Sequence, residues 1–308
     1  MSRLSAVAAV GLLLVASVGP SRADGPGAAK VPAAAAAEPA PRFPPVNAHI
    51  GTSAEGFDRD GVIVIGGEAR AVGPVHLFLS GDPVAVYTGG WRMRPLDPWL
   101  RAGPNTLELR ARAGGPAYVK LAKGSAAAAD DKVTELARAM LPAGKERSGE
   151  AKFDPGERPA LPAWDELPAG AAGEAEARKH AAELLDRLRD GARRHDGKAF
   201  VRTYRAGRDI WEPAAFGPDV RSPVPARVRA VVDDPATAPV AEDRPLEFVV
   251  GRRAVLAYVR PAPDPDSVSP VPRPYSLRLR RGESTFLFGP IQCVRIKGEW
   301  LIWHVEAR

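Results

Sequence analysis

The chain has a single cysteine, Cys293, which excludes an internal disulfide framework and any cysteine-rich zinc site. Amide side chains are almost missing, with two Asn and one Gln in 308 residues. Histidine is sparse at five. His49, His76, His180 and His195 stand at no metal-ligand spacing such as H-E-x-x-H, so no metal is expected. The sequence also lacks a phosphate-binding Gly loop, a Gly-x-Ser-x-Gly elbow and a paired-carboxylate signature, so no cofactor is expected either. Long hydrophobic runs are missing too. The apolar stretch 4–18 counts 15 residues, short of the roughly 20 that span a bilayer, and Gly19-Pro20 ends it.

That stretch reads instead as a secretory leader. Arg3 supplies the positive start, and Ser21-Arg22-Ala23 places small residues at the −3 and −1 positions before Asp24. Residues 1–23 are therefore expected to be removed after Ala23. The product should be soluble and exported, periplasmic or secreted, with no transmembrane segment left after cleavage. Losing Arg3 and Arg22 lowers the formal charge from +6 to +4. The basic residues are 34 Arg against 9 Lys, and Ala, Gly and Pro abound, a skew that looks like GC-rich bacterial coding bias. The Arg are interleaved with acids, as in Arg187-Leu188-Arg189-Asp190, rather than gathered in a groove, so nucleic acid is not an expected partner.

With 45% hydrophobic residues the chain can bury a core, while 32 Pro and 30 Gly commit much of it to turns and connections. Residues 24–45 are nearly all Ala, Pro and Gly and read as a linker. A second punctuated stretch, carrying Pro142, Pro155, Pro159, Pro162 and Pro168, places a short helix and a Pro/Gly-rich linker over 124–173. Two blocks remain, 46–123 and 174–308, about the two domains expected for this length. The helix is read over 130–141. Asp130 or Asp131 caps it, Val133, Leu136, Ala137, Met140 and Leu141 share a face, and Pro142 stops it.

The first block reads as all β. Its clearest strand is 106–112, where Leu107, Leu109 and Ala111 alternate with Glu108, Arg110 and Arg112. Runs at 61–65, 75–79 and 84–88 complete a small β-sandwich. Within it, Leu96-Asp-Pro-Trp-Leu100-Arg-Ala-Gly-Pro-Asn105-Thr-Leu-Glu-Leu-Arg110 resembles the D-x-x-x-x-L-x-x-G-x-N-x-L hairpin of galactose-binding-like, jelly-roll domains attached to glycan-processing enzymes. The resemblance implies a sandwich and, more weakly, carbohydrate binding. Trp91 and Trp99 would then be sugar-stacking platforms; the plainer reading makes them packing residues.

The second block opens with a helix whose Ala177, Ala181, Leu184, Leu185 and Leu188 recur at helical spacing. Asp196 then caps a second helix carrying Phe200, Val201 and Tyr204. Strands follow at 246–250, 254–259, 275–280, 286–288, 291–296 and 300–305, the last pair joined over Lys297-Gly-Glu299. The block resembles the nuclear transport factor 2-like (SnoaL-like) superfamily. The residues that carry this are Leu184-Leu-Asp-Arg-Leu188, Asp196-Gly-Lys-Ala-Phe-Val-Arg-Thr-Tyr204 and the closing Val294-Arg-Ile-Lys-Gly-Glu-Trp-Leu-Ile-Trp-His-Val305. The resemblance implies an α+β cone, a curved antiparallel sheet packed on N-terminal helices. In that family the cavity serves isomerases, dehydratases, hydrolases and many non-catalytic binders. The Pro-rich insertion 261–274 stands where the family usually has a short connection.

If the cone is an active site, the catalytic candidates are Tyr204 as phenol donor, Asp209 as carboxylate base and His304 as general base. His304 shares the parity of Trp300 and Ile302, the expected cavity face, with Glu306 as a candidate orienting carboxylate. Trp211 is a ligand-binding candidate or a core plug. Arg278 and Arg280 project with Ser276 from one face of their strand, and Arg253, Arg260 and Arg273 are expected near them as an anion or lipid-headgroup site. Cys293 reads as a small apolar strand residue. The final strand looks buried on both faces, so the side away from the helices needs a cover: the N-terminal sandwich, or a second subunit in a homodimer through the C-terminal sheet. No catalytic constellation is complete. The expectation is therefore a non-catalytic binding or interaction protein of the cell envelope, with a small molecule, a glycan or an envelope protein as partner. The alternatives are an isomerase or hydrolase and a carbohydrate-binding module.

Overall fold

A computed structural model describes residues 46–51, 74–87, 91–96, 98–114, 117–123, 134–142, 144–158, 160–216, 224–260 and 274–305. The leader with its cleavage site, the Ala/Pro linker, the 61–65 run, the 261–273 part of the insertion and Glu306 lie outside these residues. The described elements are a mixture of α and β, with four helices among more numerous strands.

The N-terminal strands are β1 (Val46–Gly51), β2 (Val75–Leu79), β3 (Asp82–Tyr87), β4 (Trp91–Pro95), β5 (Asn105–Gly114), β6 (Ala117–Lys123), β7 (Thr134–Leu141) and β8 (Gly144–Phe153). They form two antiparallel four-stranded sheets, ordered β4-β1-β6-β7 and β3-β2-β5-β8. The alternation read in β5 holds: Leu107, Leu109 and Ala111 are buried, and Arg110 and Arg112 exposed. They join Val119, Leu121, Ala139 and Leu141 of the other sheet in one core. In the hairpin motif Leu96 and Leu100 are fully buried. The buried Asn105 amide donates to the carbonyls of Arg101 (2.9 Å) and Gly103 (2.8 Å), fixing the turn that feeds β5.

Of the helix expected over 130–141, residues 130–133 with the Asp130 or Asp131 cap lie outside the described residues, and the remainder is instead β7. Its side chains follow a period of two: Ala139 and Leu141 point inward, while Met140, an inward residue in the helical reading, is 52% exposed. Pairing with β6 supplies ladder hydrogen bonds that a short isolated helix cannot match. The expected 124–173 linker therefore contributes β7 and β8, one strand to each sheet. The described residues of 154–170 carry no helix or strand, yet they are pinned in place. The Asp165 N–H donates to the Arg295 carbonyl (2.7 Å) and the Leu167 N–H to the Arg252 carbonyl (2.9 Å).

The C-terminal elements are α1 (Ala171–Arg193), α2 (Gly197–Arg205), α3 (Arg208–Phe216), α4 (Val224–Asp233), β9 (Thr237–Pro239), β10 (Leu246–Val250), β11 (Ala254–Val259), β12 (Leu277–Arg281), β13 (Ser284–Phe288), β14 (Ile291–Ile296) and β15 (Glu299–His304). The strands form two sheets, β10-β11-β14-β15 and β13-β12-β9. The periodic residues of α1 are the ones it buries, and Asp196 caps α2 by accepting from the Ala199 N–H at 2.9 Å. Phe200, Tyr204 and Phe288 fill the space between helices and sheet with mutually packed rings, 5.3–6.4 Å between centroids.

The other face of β10-β11-β14-β15 is covered by the N-terminal strands. Ala254, Val294 and Trp303 belong to the same buried core as Leu77, Leu107 and Val119. Glu38–Arg308 is one compact unit, and the cover sought for the final strand is formed by N-terminal strands of its own chain.

Candidate functional site

The contact between the N-terminal sheets and the C-terminal sheet, here called the seam, gathers four of the six tryptophans: Trp99, Trp164, Trp211 and Trp303. Two turns meet at one end of it. Gly251 in the β10–β11 turn lies so close to the β2–β3 turn that a Cβ there would sit 2.4 Å from Pro83 Cδ and 2.7 Å from the Gly81 carbonyl oxygen. Only glycine permits that approach. The Arg252 N–H then donates to the Gly81 carbonyl at 3.1 Å. Buried Asp82 accepts from the Arg253 backbone N–H (2.6 Å) and from its guanidinium Nε (2.8 Å). Burial pushes the Asp82 carboxyl above its ordinary range, against the downward pull of the Arg253 charge.

At the centre, the chain's lone glutamine does double duty. The Gln292 amide donates to the Pro83 carbonyl (2.6 Å), and its carbonyl oxygen accepts from the Trp99 indole N–H. The Trp303 indole donates to the Pro98 carbonyl at 2.9 Å, and the Trp211 indole to the Trp303 carbonyl at 3.2 Å. A third group closes the far end. Tyr258 O–H donates to Glu247 (3.0 Å), which also accepts from Arg260 (2.7 Å). The Tyr258 oxygen, its proton committed, accepts from His76 Nε2–H across the seam at 2.9 Å. Burial lowers the His76 pKa to about 4, with Glu247 opposing and Arg260 and Arg112 reinforcing the shift.

The residues expected to carry chemistry do not meet. Tyr204 is fully buried on the helix side, its hydroxyl accepting from Arg208 at 3.3 Å, and burial raises its pKa. Asp209 is exposed on α3 and paired with Arg205 at 2.7 Å. His304 lies on neither of those faces. Pairing between β14 and β15 shifts register, with Gln292 opposite His304 and Cys293 opposite Ile302, so Trp303 is an extra residue in a β-bulge. The bulge cancels the alternation and turns His304 to the seam, between Trp99 (4.7 Å between ring centroids) and Trp211 (6.2 Å). Parity counted along an unbroken strand had put His304 in the cone.

Trp99 is 5% exposed and hydrogen-bonded to Gln292, which removes it as a sugar platform. Trp91 lies on β4, opposite Gly51. Trp211, also 5% exposed, is a core residue with the Arg208 guanidinium 5.6 Å from its ring. The expected arginine cluster does not assemble. Arg253 is clasped to Asp82 and Arg260 to Glu247, while Arg273 lies outside the described residues. Arg278 faces Glu242 at 3.5 Å, which offsets its charge, and Arg280 is exposed beyond it. Tyr275 O–H donates to the same Glu242, and burial and that carboxylate push its pKa up to about 12.

Comparison of the chain with protein-family models, curated proteins and solved structures found no match. Weight therefore falls on residues to which the sequence reading gave no site role, Asp82, Gln292, Trp164, His76 and Tyr258, and on Arg253, which it placed in a different cluster. One of them had a legible signal. A lone Gln within the apolar run Ile291-Gln292-Cys293-Val294 is a polar residue on a buried strand, and such a residue needs partners. Asp82 pairs with Arg253 across 171 positions and His76 with Tyr258 across 182, which no local pattern reports, and Trp164 meets Trp303 from an irregular segment.

Proposed function

We propose that this chain is an exported, non-catalytic binding or interaction protein of the bacterial cell envelope. In this reading the C-terminal block is a nuclear transport factor 2-like cone and the N-terminal block a galactose-binding-like sandwich. One observation carries the non-catalytic part. Tyr204, Asp209 and His304 occupy three separate environments, a packed interior, an exposed helix surface and the seam. A general base needs its partner within hydrogen-bond reach, and here none of the three reaches another. The interior that would be the substrate cavity is occupied by Phe200, Tyr204 and Phe288. The exported part rests on the leader pattern of residues 1–23. No described helix is long and apolar enough to cross a membrane.

The test has two arms. Expression in a Gram-negative host with fractionation and N-terminal sequencing should find a periplasmic product beginning at Asp24; an intact Met1 in the cytoplasm overturns the export reading. Assay of the purified chain on ester, glycoside and ketosteroid substrates should give no turnover above buffer. Turnover abolished by His304→Asn or Tyr204→Phe in folded protein overturns the non-catalytic reading.

A further inference from the structure

Beside the Asp82–Arg253 clasp the seam opens into a small pocket where Ser80, Asp82, Arg101, Asn105 and Arg253 meet the rings of Trp99 and Trp164 and two aliphatic side chains, with room for about one water molecule. Its charges do not balance. Asp82 is saturated by Arg253, which reaches it through the backbone N–H and the guanidinium. Arg101 donates to the Leu161 (3.2 Å) and Pro162 (3.1 Å) carbonyls, and no carboxylate among the described residues pairs with it. Both guanidiniums lie within 6 Å of the Trp164 ring centroid, Arg101 at 5.6 Å and Arg253 at 5.8 Å. Burial and the nearby Arg253 charge push the Arg101 pKa down, and the Asp82 carboxylate offsets this only in part. Hydrogen bonding is equally lopsided. Trp164 is 7% exposed, and its indole N–H has no acceptor among the described residues. A buried donor of this kind is rare in folded proteins and marks a missing acceptor.

We propose that this pocket binds a monatomic anion of the halide class, held by the Trp164 indole N–H and the charge of Arg101, for which Asp82, clasped by Arg253, is only a partial counter-charge. Room for about one water molecule suits a single-atom anion better than phosphate, sulfate or a carboxylate. The surplus of donors and of positive charge excludes a metal cation. The site fastens residues 161–164 to the β2–β3 turn, so occupancy tightens the seam.

Chloride binding is measured on the full chain by the ³⁵Cl resonance linewidth, with gluconate holding ionic strength constant. Saturable excess broadening that bromide displaces is expected. Trp164→Phe keeps the ring and removes the donor, and it should weaken halide affinity about tenfold, the loss expected for one hydrogen bond to a charged group. Arg101→Met should abolish it. Crystals of the unaltered protein grown in bromide should show an anomalous peak beside Trp164, a readout that does not depend on either variant folding. No excess broadening, broadening unchanged in both folded variants, or only an ordered water at the pocket overturns the proposal.

Discussion

The two faces of the β10-β11-β14-β15 sheet are built on different principles. The helix face is mainly apolar: Leu184, Leu185, Leu188, Phe200, Val255, Cys293 and Ile302 pack there. The seam face is threaded with polar links, through Asp82–Arg253, Gln292 and His76–Tyr258–Glu247, set among tryptophans. Apolar packing tolerates sliding and repacking so long as volume is kept. Buried hydrogen bonds tolerate neither, because a displaced donor or acceptor loses its partner. The helix face thus supplies burial, while the seam adds a fixed geometry between two blocks that could otherwise dock in several ways.

The sharpest test of this contrast is Asp82→Ala, which leaves the half-buried Arg253 without its counter-charge. Breaking such a pair costs about 3–5 kcal/mol, read as a lower urea midpoint. Tryptophan fluorescence, which samples the seam, and far-UV circular dichroism, which samples the helices, should still change together, because both faces share one sheet. Separate transitions would show that the faces fold independently.

Phe200→Ala removes a fully buried ring on the helix side and should cost about 3–4 kcal/mol through the cavity it leaves. The fluorescence maximum of the folded state should stay unchanged, since no seam tryptophan touches that ring among the described contacts. A red shift would blur the distinction between the faces.

Acid separates the faces by charge. His76 has a folded pKa of about 4 against an ordinary 6.5, so the unfolded chain takes up the proton first. Stability should be constant above about pH 7 and fall as pH drops from 6.5 toward 4, by up to about 3 kcal/mol. His76→Gln, which keeps an N–H donor for Tyr258, should flatten that slope. An unaltered slope would place the titrating group elsewhere. The smallest effect belongs to the helix side, where Asp196→Ala removes the cap of α2 for about 1 kcal/mol, measured by thermal unfolding.

The two faces also differed in how far the sequence revealed them. Side chains of the helix face repeat at helical or strand spacing, so the buried set of α1, the Asp196 cap and the bounds of β10, β11 and β14 could be read directly. β7 was read as a helix because Leu136, Ala137, Met140 and Leu141 fit the helical period over a stretch of only eight residues, and pairing with the preceding strand β6 overrode it. The bulge at Trp303 carries no compositional mark, yet it alone moved His304 from one face to the other. The seam was hidden for a plainer reason. Its partners are far apart, and each residue taken alone has an ordinary explanation.

That separation also orders events during synthesis. The Trp99, Trp303 and Gln292 bonds join residues 193, 205 and 209 positions apart. None of the three can form until β14 or β15 has been made, whatever the N-terminal sheets have already achieved. A chain halted before Gln292 would leave Trp99 and the Pro83 carbonyl without the partner meant for them. The last two strands therefore act as a proof of completeness, and an interrupted product should be recognisable to proteases by the tryptophans it fails to cover.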